Sequence, residues 1–434
     1  MKSKFARLAL SVLPALLLLL ATAAPAQNAG PKPIVIPSVA HDVSQPLRDM
    51  VASAPIVIPS GQYNFPLRQT PPLPGANAAI GKDPVLQTLD LPLVNTVPGL
   101  DFDGVSANGY APPDTNGSVG LTQFVQITNV EYAVYNKSDG SLELGPSLID
   151  TIWSGFSGNC SGGNGGDVEA MWDKAAQRWV ISQLTSAFTG WCMAVSTSTD
   201  ATGSYYRYEF DFGSNLPDYP KLGVWPDAYY WTSNTFQNGN NFIGAMPCAF
   251  DRASMLTGGA ANAICFQESA SVASLLPSDV DGNTAPPAGE PNLYLELLDT
   301  SDLGLFKFHV DFSVPANSTF TGPTSIPVAS YSEACGGGTC IPQPPGDGTQ
   351  LDSLGDRLMF RNAYRNLNGT EYLVVTHSVT AGGAVGVALF GALASGSADK
   401  IESGLKVAAI ASSGMLLGAS ALTAVYIRAR NRIV

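Results

Sequence analysis

Three stretches of the chain repeat one pattern: A-P-P-D-T-N-G-S-V-G-L-T-Q-F-V-Q-I-T-N from Ala111, N-G-G-D-V-E-A-M-W-D-K-A-A-Q-R-W-V-I-S-Q from Asn164, and L-P-D-Y-P-K-L-G-V-W-P-D-A-Y-Y-W-T-S-N from Leu216. In each, an Asp closes a Gly/Pro turn and an aromatic-led strand follows 10 or 12 residues later, at Phe124, Trp179 and Tyr230. Asp114, Asp167 and Asp218 stand 53 and 51 residues apart, close to the ~40–50 residues of one four-stranded propeller blade. The spacing predicts an all-β repeat scaffold.

Period-2 alternation between turn signals predicts strands at Phe124–Val130, Tyr132–Tyr135, Trp179–Leu184, Cys192–Thr197, Tyr205–Phe212, Tyr229–Asn234 and Phe242–Met246. K-S-D-G at Lys137–Gly140 is a turn, and Asp251–Leu256 is long enough for a single helical turn. A fourth unit begins at Ala288 and includes the strand Leu303–Phe312, with Leu305, Lys307 and His309 on one face and Phe306, Phe308 and Val310 on the other. A fifth spans Leu351–Ser378, where Asn368-Gly369 signals a hairpin, and Val385, Val387 and Leu389 supply a closing strand. The expectation is a β-propeller with about five recognisable blades over residues 101–393, ring closure being left open.

The ends differ from this core. Lys2, Lys4 and Arg7, the apolar run Leu8–Leu20 and Ala24-Pro25-Ala26 make residues 1–26 a secretory signal peptide. Residues 27–100 are Pro-rich, which predicts an extended arm or linker kept out of helices and central strands, with one amphipathic piece at Val43–Ala54. After a linker at 394–406, residues 407–427 carry no charge and precede the basic tail 428–434. That pattern predicts a transmembrane helix with a cytoplasmic C-terminus, the alternative being a degenerate blade segment rich in Ala, Ser and Gly. The expected location is therefore the cell surface or periplasm.

Cys160, Cys192, Cys248, Cys265, Cys335 and Cys340 form an even set in an exported chain, and nearest-neighbour pairing gives Cys160–Cys192, Cys248–Cys265 and Cys335–Cys340. No C-x-x-C spacing points to zinc. Net charge of −13 excludes a nucleic-acid partner, which needs a basic footprint.

The repeated Asp is the first candidate for chemistry. If the innermost strand of each blade faces a central channel, Asp114, Asp167 and Asp218 gather round one mouth with Glu169 nearby. Converging carboxylates push their pKa values apart, which suits acid/base work on a glycosidic bond or the holding of a cation. The rival is that each Asp caps its own turn, a task that explains the repetition without catalysis. Trp225, Tyr229 and Trp231 are spaced to share a strand face, as sugar stacking requires, but core packing asks for the same residues and is preferred. Arg357, Arg361 and Arg365 would clamp a carboxylate as in sialidases, although a turn separates them from the other units. Asp101 and Asp103, and Asp279 and Asp281, flank glycines in a way that suits calcium; neither run completes a twelve-residue loop, and solvated turns are preferred. No other cofactor is expected. Nucleophile elbow, H-E-x-x-H, phosphate-loop and dinucleotide motifs are all missing from the sequence.

The motifs P-P-D-T-N-G-S-V-G, T-G-S-Y-Y-R-Y, D-Y-P-K-L-G-V-W-P-D, P-A-N-S-T-F-T-G-P and L-G-D-R-L-M-F-R-N-A-Y-R resemble a group of large, mostly uncharacterised exported bacterial proteins with sialidase-like propeller repeats. The resemblance covers Phe102 to Val387 and implies the fold but no reaction. Past that point this chain departs from the group, turning to its Ala/Gly/Ser-rich and apolar tail. The leading expectation is an exported, membrane-tethered propeller that binds a glycan or protein ligand at the channel mouth. The alternatives are a glycoside hydrolase of sialidase-like or arabinanase-like type using the channel carboxylates, and a structural envelope protein. Oligomeric state is not legible.

Overall fold

Strands form where β-branched and aromatic residues alternate, and reverse where Gly, Asn and Asp accept positive φ. A computed structural model describes residues 30–52, 63–64, 70–74, 99–106, 109–342, 350–381 and 384–394. The leader at 1–26, most of the arm beyond residue 52, and the segments 395–406, 407–427 and 428–434 lie outside the described residues. Among the described residues the chain is all-β, and no helix is long and apolar enough to cross a membrane.

Antiparallel meanders of three or four strands follow one another along the chain. The first sheet comprises Asn116–Val119, Gln123–Thr128, Glu131–Asn136 and Leu142–Leu148, and the second Glu169–Asp173, Arg178–Leu184, Gly190–Ser196 and Tyr205–Asp211. Asn215–Val224, Tyr229–Gln237, Cys248–Phe250 and Asn262–Cys265 form the third, with Asn241–Ala245 as a side branch. Asn292–Leu297, Asp302–His309 and Thr319–Pro327 make the fourth, and Met359–Leu367, Thr370–Ala381 and Ala384–Ala394 the fifth. Every pairing within these meanders is antiparallel. The hairpin at Asn368-Gly369 has φ of 55° and 82°, as a tight two-residue turn demands. Arg252–Met255 is the expected single helical turn, capped by Asp251.

The first strands of the first three meanders lie side by side, and the next place is taken by Ser278–Val280. Asn116 accepts from Ala170 N–H (2.9 Å), Ser118 Oγ accepts from Trp172 N–H (3.0 Å), and Asp279 accepts from Val224 N–H (3.1 Å). Ser278–Val280 then pairs in parallel with Asn362–Tyr364. Gly223 permits one of these approaches, because a Cβ there would stand 2.6 Å from the Ser278 carbonyl. The arrangement is propeller-like: inner strands in succession, sheets radiating outward.

Alternation along each strand feeds two cores. Trp179 and Ile181 pack between the first and second sheets, whereas Val180 packs between the second and third. Tyr229 and Trp231 join the latter core, and Tyr230 turns to Phe308 and Tyr294 between the third and fourth. Each such buried aromatic stabilises by roughly 2–3 kcal/mol.

Two features correct the sequence reading. Ile34–Val43 is not an arm held clear of central strands, since it pairs with Asn262–Cys265 through Ile34–Pro37 and with Tyr206–Phe210 through Ser38–Val43, uniting the second and third sheets. Pro37 is tolerated because it sits where the strand changes partner, next to a bulge between Ser38 and Ala40. The amphipathic piece after it yields only a short 3-10 turn at Leu47–Asp49, with Leu47 buried in the core. All six cysteines are paired as nearest neighbours: Cys160–Cys192, Cys248–Cys265 and Cys335–Cys340.

Candidate functional site

Left-handed residues precede the first two inner strands, at Asp114 (φ 42°) and Asp167 (φ 50°), and one lies within the third, Asn215–Val224, at Tyr219 (φ 54°). Asp bears that backbone at little cost because its short side chain bonds locally. In the third unit the bend falls on Tyr219, one residue past Asp218, so the Asp alignment is one step out there. Two residues beyond each bend stand Asn116, Glu169 and Lys221, which alternation turns the same way.

Lys221 is thereby placed among acids. Its Nζ lies 3.8 Å from Glu169 Oε1, donates to the Pro220 carbonyl at 2.6 Å, and stands 4.2 Å from the centre of the Tyr219 ring. On the same ring sits Arg357, 4.9 Å from its centre, paired with Asp356 through two hydrogen bonds. Asp167 Oδ2 accepts from Tyr219 N–H in the next sheet (3.3 Å), and Asp114 Oδ2 accepts from the Asn129 side chain (3.0 Å). Neither of those two bonds is the self-capping of a turn; Asp167 ties one sheet to the next.

The electrostatics follow from crowding. Burial, reinforced by the negative charges of Asp114 and Asp218, pushes Asp167 up to about 8. Burial also lifts Glu169 to about 7, against the opposing pull of Lys221 and the Leu222 N–H. Asp114 is raised by burial in spite of Lys221. For Lys221, burial works against the charge, and Glu169, Tyr219, Asp167 and Asp114 outweigh it, so the ammonium is held above its ordinary value. The three expected corners and Glu169 are thus brought into one electrostatic cluster. Asp114, Asp167, Asp218 and Lys221 keep partial solvent contact, while Glu169 is buried with Oε2 lacking any hydrogen-bond partner among the described residues.

The trailing ends of the inner strands are organised differently. Asp173 is fully buried, with Arg252 donating to both its oxygens at 2.7 and 3.0 Å and Tyr229 OH donating at 3.0 Å. Arg361 Nε stands 3.1 Å from Asp279 and its other nitrogen pairs with Asp281, to which Arg365 also binds. A recess of about 200 Å³ opens beside them, walled by Trp172, Val224, Trp225 and Val280, with Lys174 at its rim.

Several sequence candidates find other roles here. Trp225, Tyr229 and Trp231 are 2%, 0% and 0% exposed, so they build cores and offer no stacking face. Trp225 precedes the turn and packs edge-on against Tyr364 (4.8 Å), on a different layer from Tyr229 and Trp231. Asp279 and Asp281 are neither solvated turns nor ion ligands, their carboxylates being taken by Arg361 and Arg365. Asp101 and Asp103 are exposed, and no cluster of three or more metal-ligating side chains occurs among the described residues. Lys221 and Tyr219 were missed by sequence reasoning. The signal lay in the lone Lys at the position equivalent to Glu169 and Asn116.

No family model matches the chain, and neither does any curated protein. Among solved structures it is similar to the WD40 domain of SCAP from fission yeast, with a TM-score of 0.30 and 10% identity over 62% of this chain and 53% of that one. The fission yeast SREBP–SCAP binding domains give 0.28 and 9%, over 64% of this chain and 60% of that one. The Cellvibrio cellulosa α-L-arabinanase complexed with arabinohexaose gives 0.25 and 10%, over 64% and 91%. The chain spans about half the length of the first of these. At such TM-scores nothing about this chain's ligand passes from those proteins.

Proposed function

We propose that this chain is an exported, membrane-tethered β-propeller that binds a glycan at the mouth formed by the leading ends of its inner strands. The grouping of Asp114, Asp167 and Glu169 about Lys221, with Asp218 acting on Asp167, carries the reading. Carboxylate acceptors beside an ammonium donor, half-buried and reached by solvent, match the mixed donors and acceptors of a hydroxyl-rich ligand. Export is supported by the leader pattern and three disulfides, and tethering by the uncharged stretch 407–427. Retention of saccharides on an array by the full-length protein, lost in Asp114→Ala and Asp218→Ala, is the expected result; a protein ligand or a purely structural role is the answer if no saccharide is retained. Deleting residues 407–434 is expected to release the protein into the soluble fraction.

Hydrolysis is the second reading. Asp167 pushed up to about 8 and Glu169 to about 7 offer a protonated carboxyl at neutral pH beside the ionised acids, the pairing that glycoside hydrolases use. New reducing ends released from a bound oligosaccharide, and abolished by Asp167→Asn, would establish it. Retention without cleavage leaves binding as the function.

A further inference from the structure

The face opposite the mouth carries the end of the last described strand. Met359–Leu367 runs away from the mouth: just before it, Arg357 and Leu358 meet the Tyr219 ring and hydroxyl, and toward its far end Arg365 pairs with Asp281. The Asn368-Gly369 turn therefore lies at the trailing end, Thr370–Ala381 returns, and Ala384–Ala394 runs out again until Ala394 stands opposite Glu371, close behind that turn. Twelve residues, 395–406, then precede the uncharged stretch 407–427. At ~3.3–3.6 Å per residue they reach about 40 Å at most. To bring the mouth against a membrane, that linker would have to climb back past a nine-residue strand, roughly 30 Å, and spend most of its reach. Three turns on the trailing face also hold apolar side chains open to solvent: Leu121 (54%), Val314 (48%) and Leu367 (38%). Leu121 follows the inner strand Asn116–Val119, and Gly120 beside it adjoins the Trp172 ring that walls the recess. Val314 follows Phe308, which pairs with Asn292, two residues past the Glu290 carbonyl that accepts the Trp225 indole N–H. Leu367 closes the Asn368-Gly369 turn opposite Thr370. Such tips are unfavourable in water and favourable in the interfacial layer of a bilayer. The neighbouring turns carry both signs of charge, Lys137 and Lys174 with Asp139 and Asp311, so anionic headgroups gain no advantage and apolar contact is what the face offers.

We infer that the trailing face, through Leu121, Val314 and Leu367, rests on the lipid surface and that the mouth points away from the membrane. The inference rests on the tethering read from residues 407–427 and adds an orientation to it. The test uses full-length protein in phosphatidylcholine vesicles, with and without brominated acyl chains as a contact quencher of Trp fluorescence. Leu121→Trp and Val314→Trp put the reporter on the proposed face, and Phe188→Trp puts it at the mouth end, in the turn after Arg178–Leu184. Side chains lodged in an interface reach ~5–10 Å into the headgroup and acyl boundary, whereas Phe188 stands a seven-residue strand, roughly 20 Å, away. The emission added by Leu121→Trp or Val314→Trp is therefore expected to be quenched at least about twofold more than that added by Phe188→Trp. The two face reporters stand on different sheets, so either one decides the matter if the other fails to fold. Equal quenching at the two ends, or stronger quenching at Phe188, overturns the orientation while leaving the tether intact. A second copy of the chain seated on the tips would leave them unquenched and double the mass in sedimentation, which also overturns the lipid contact. Protein that fails to float with the vesicles removes the tether and the orientation together.

Discussion

The two ends of the inner strands hold the same residue type in opposite circumstances. At the leading end, Asp114, Asp167 and Glu169 share Lys221, Asp218 acts on Asp167, and Asp167 and Glu169 are pushed far above the ordinary carboxylate range. At the trailing end, Asp173, Asp279 and Asp281 meet Arg252, Arg361 and Arg365 at close range. Burial alone would raise Asp281, yet Arg361 and Arg365 hold it below its usual value; for Asp279, burial wins over Arg361 and the pKa rises. Clustering of acids therefore says little about function. What separates a site from a staple is whether the charge has already been neutralised from within.

The sharpest way to break this contrast is to strip a staple. Arg252→Met strands the Asp173 carboxylate in the core, and denaturant unfolding should show a loss of about 3–5 kcal/mol. Trp231→Ala should cost about 3–5 kcal/mol through cavity formation, with saccharide retention per folded molecule unchanged, because its ring packs against Trp191 and Phe212 away from the mouth. At the mouth the sign reverses. Asp167→Asn keeps an acceptor for Tyr219 N–H and a side chain suited to positive φ, and it removes a disfavoured charge; it should stabilise by about 1 kcal/mol at pH 8 and by less at pH 5.

Titration of the wild type sharpens the same point. Asp167 and Glu169 hold protons more tightly when folded, so their contribution is fully present below the ordinary values of 3.8 and 4.5 and is lost as pH rises to about 8 and about 7. Asp281 contributes in the opposite sense: its stability is present above 3.8 and lost as pH falls through its lowered folded value. Thermal melts should therefore decline between about pH 4 and about pH 8 in wild type, and the decline should flatten in Asp167→Asn. The smallest effect belongs to the exposed Asp103, where Asp103→Ala should change stability by less than about 0.5 kcal/mol, with calcium shifting neither melt.

Much of this was legible in the sequence, for local reasons. Strand positions, the Asn368-Gly369 hairpin, the single turn after Asp251 and the nearest-neighbour disulfides depend on residues close together in the chain. The repeat period singled out Asp114, Asp167 and Asp218, and the charges of the first and last act on Asp167. The one-residue offset at Tyr219 was hidden because an Asp lay next to the true bend. Arg361 pairs with acids some eighty residues away, a distance at which spacing carries no signal, so Asp279 and Asp281 looked like free turn acids. Tyr229 and Trp231 fit both a stacking face and a core, since both demand the same alternation; core packing was the preferred reading, and their burial between sheets agrees with it.

The strand Ile34–Val43 also sets an order of events. It is synthesised first among the described strands, yet its ladder partners, Tyr206–Phe210 and Asn262–Cys265, come far later in the chain. The joint between the second and third sheets cannot be sealed until residue 265 exists, and Asp42 must wait until residue 207 for the buried guanidinium of Arg207, to which it makes bonds of 2.8 and 2.7 Å. Contacts of such separation slow folding. Until then the backbone N–H and C=O groups of Ile34 to Val43 lack the ladder partners that the folded protein gives them, so this first-made strand is among the last to be secured.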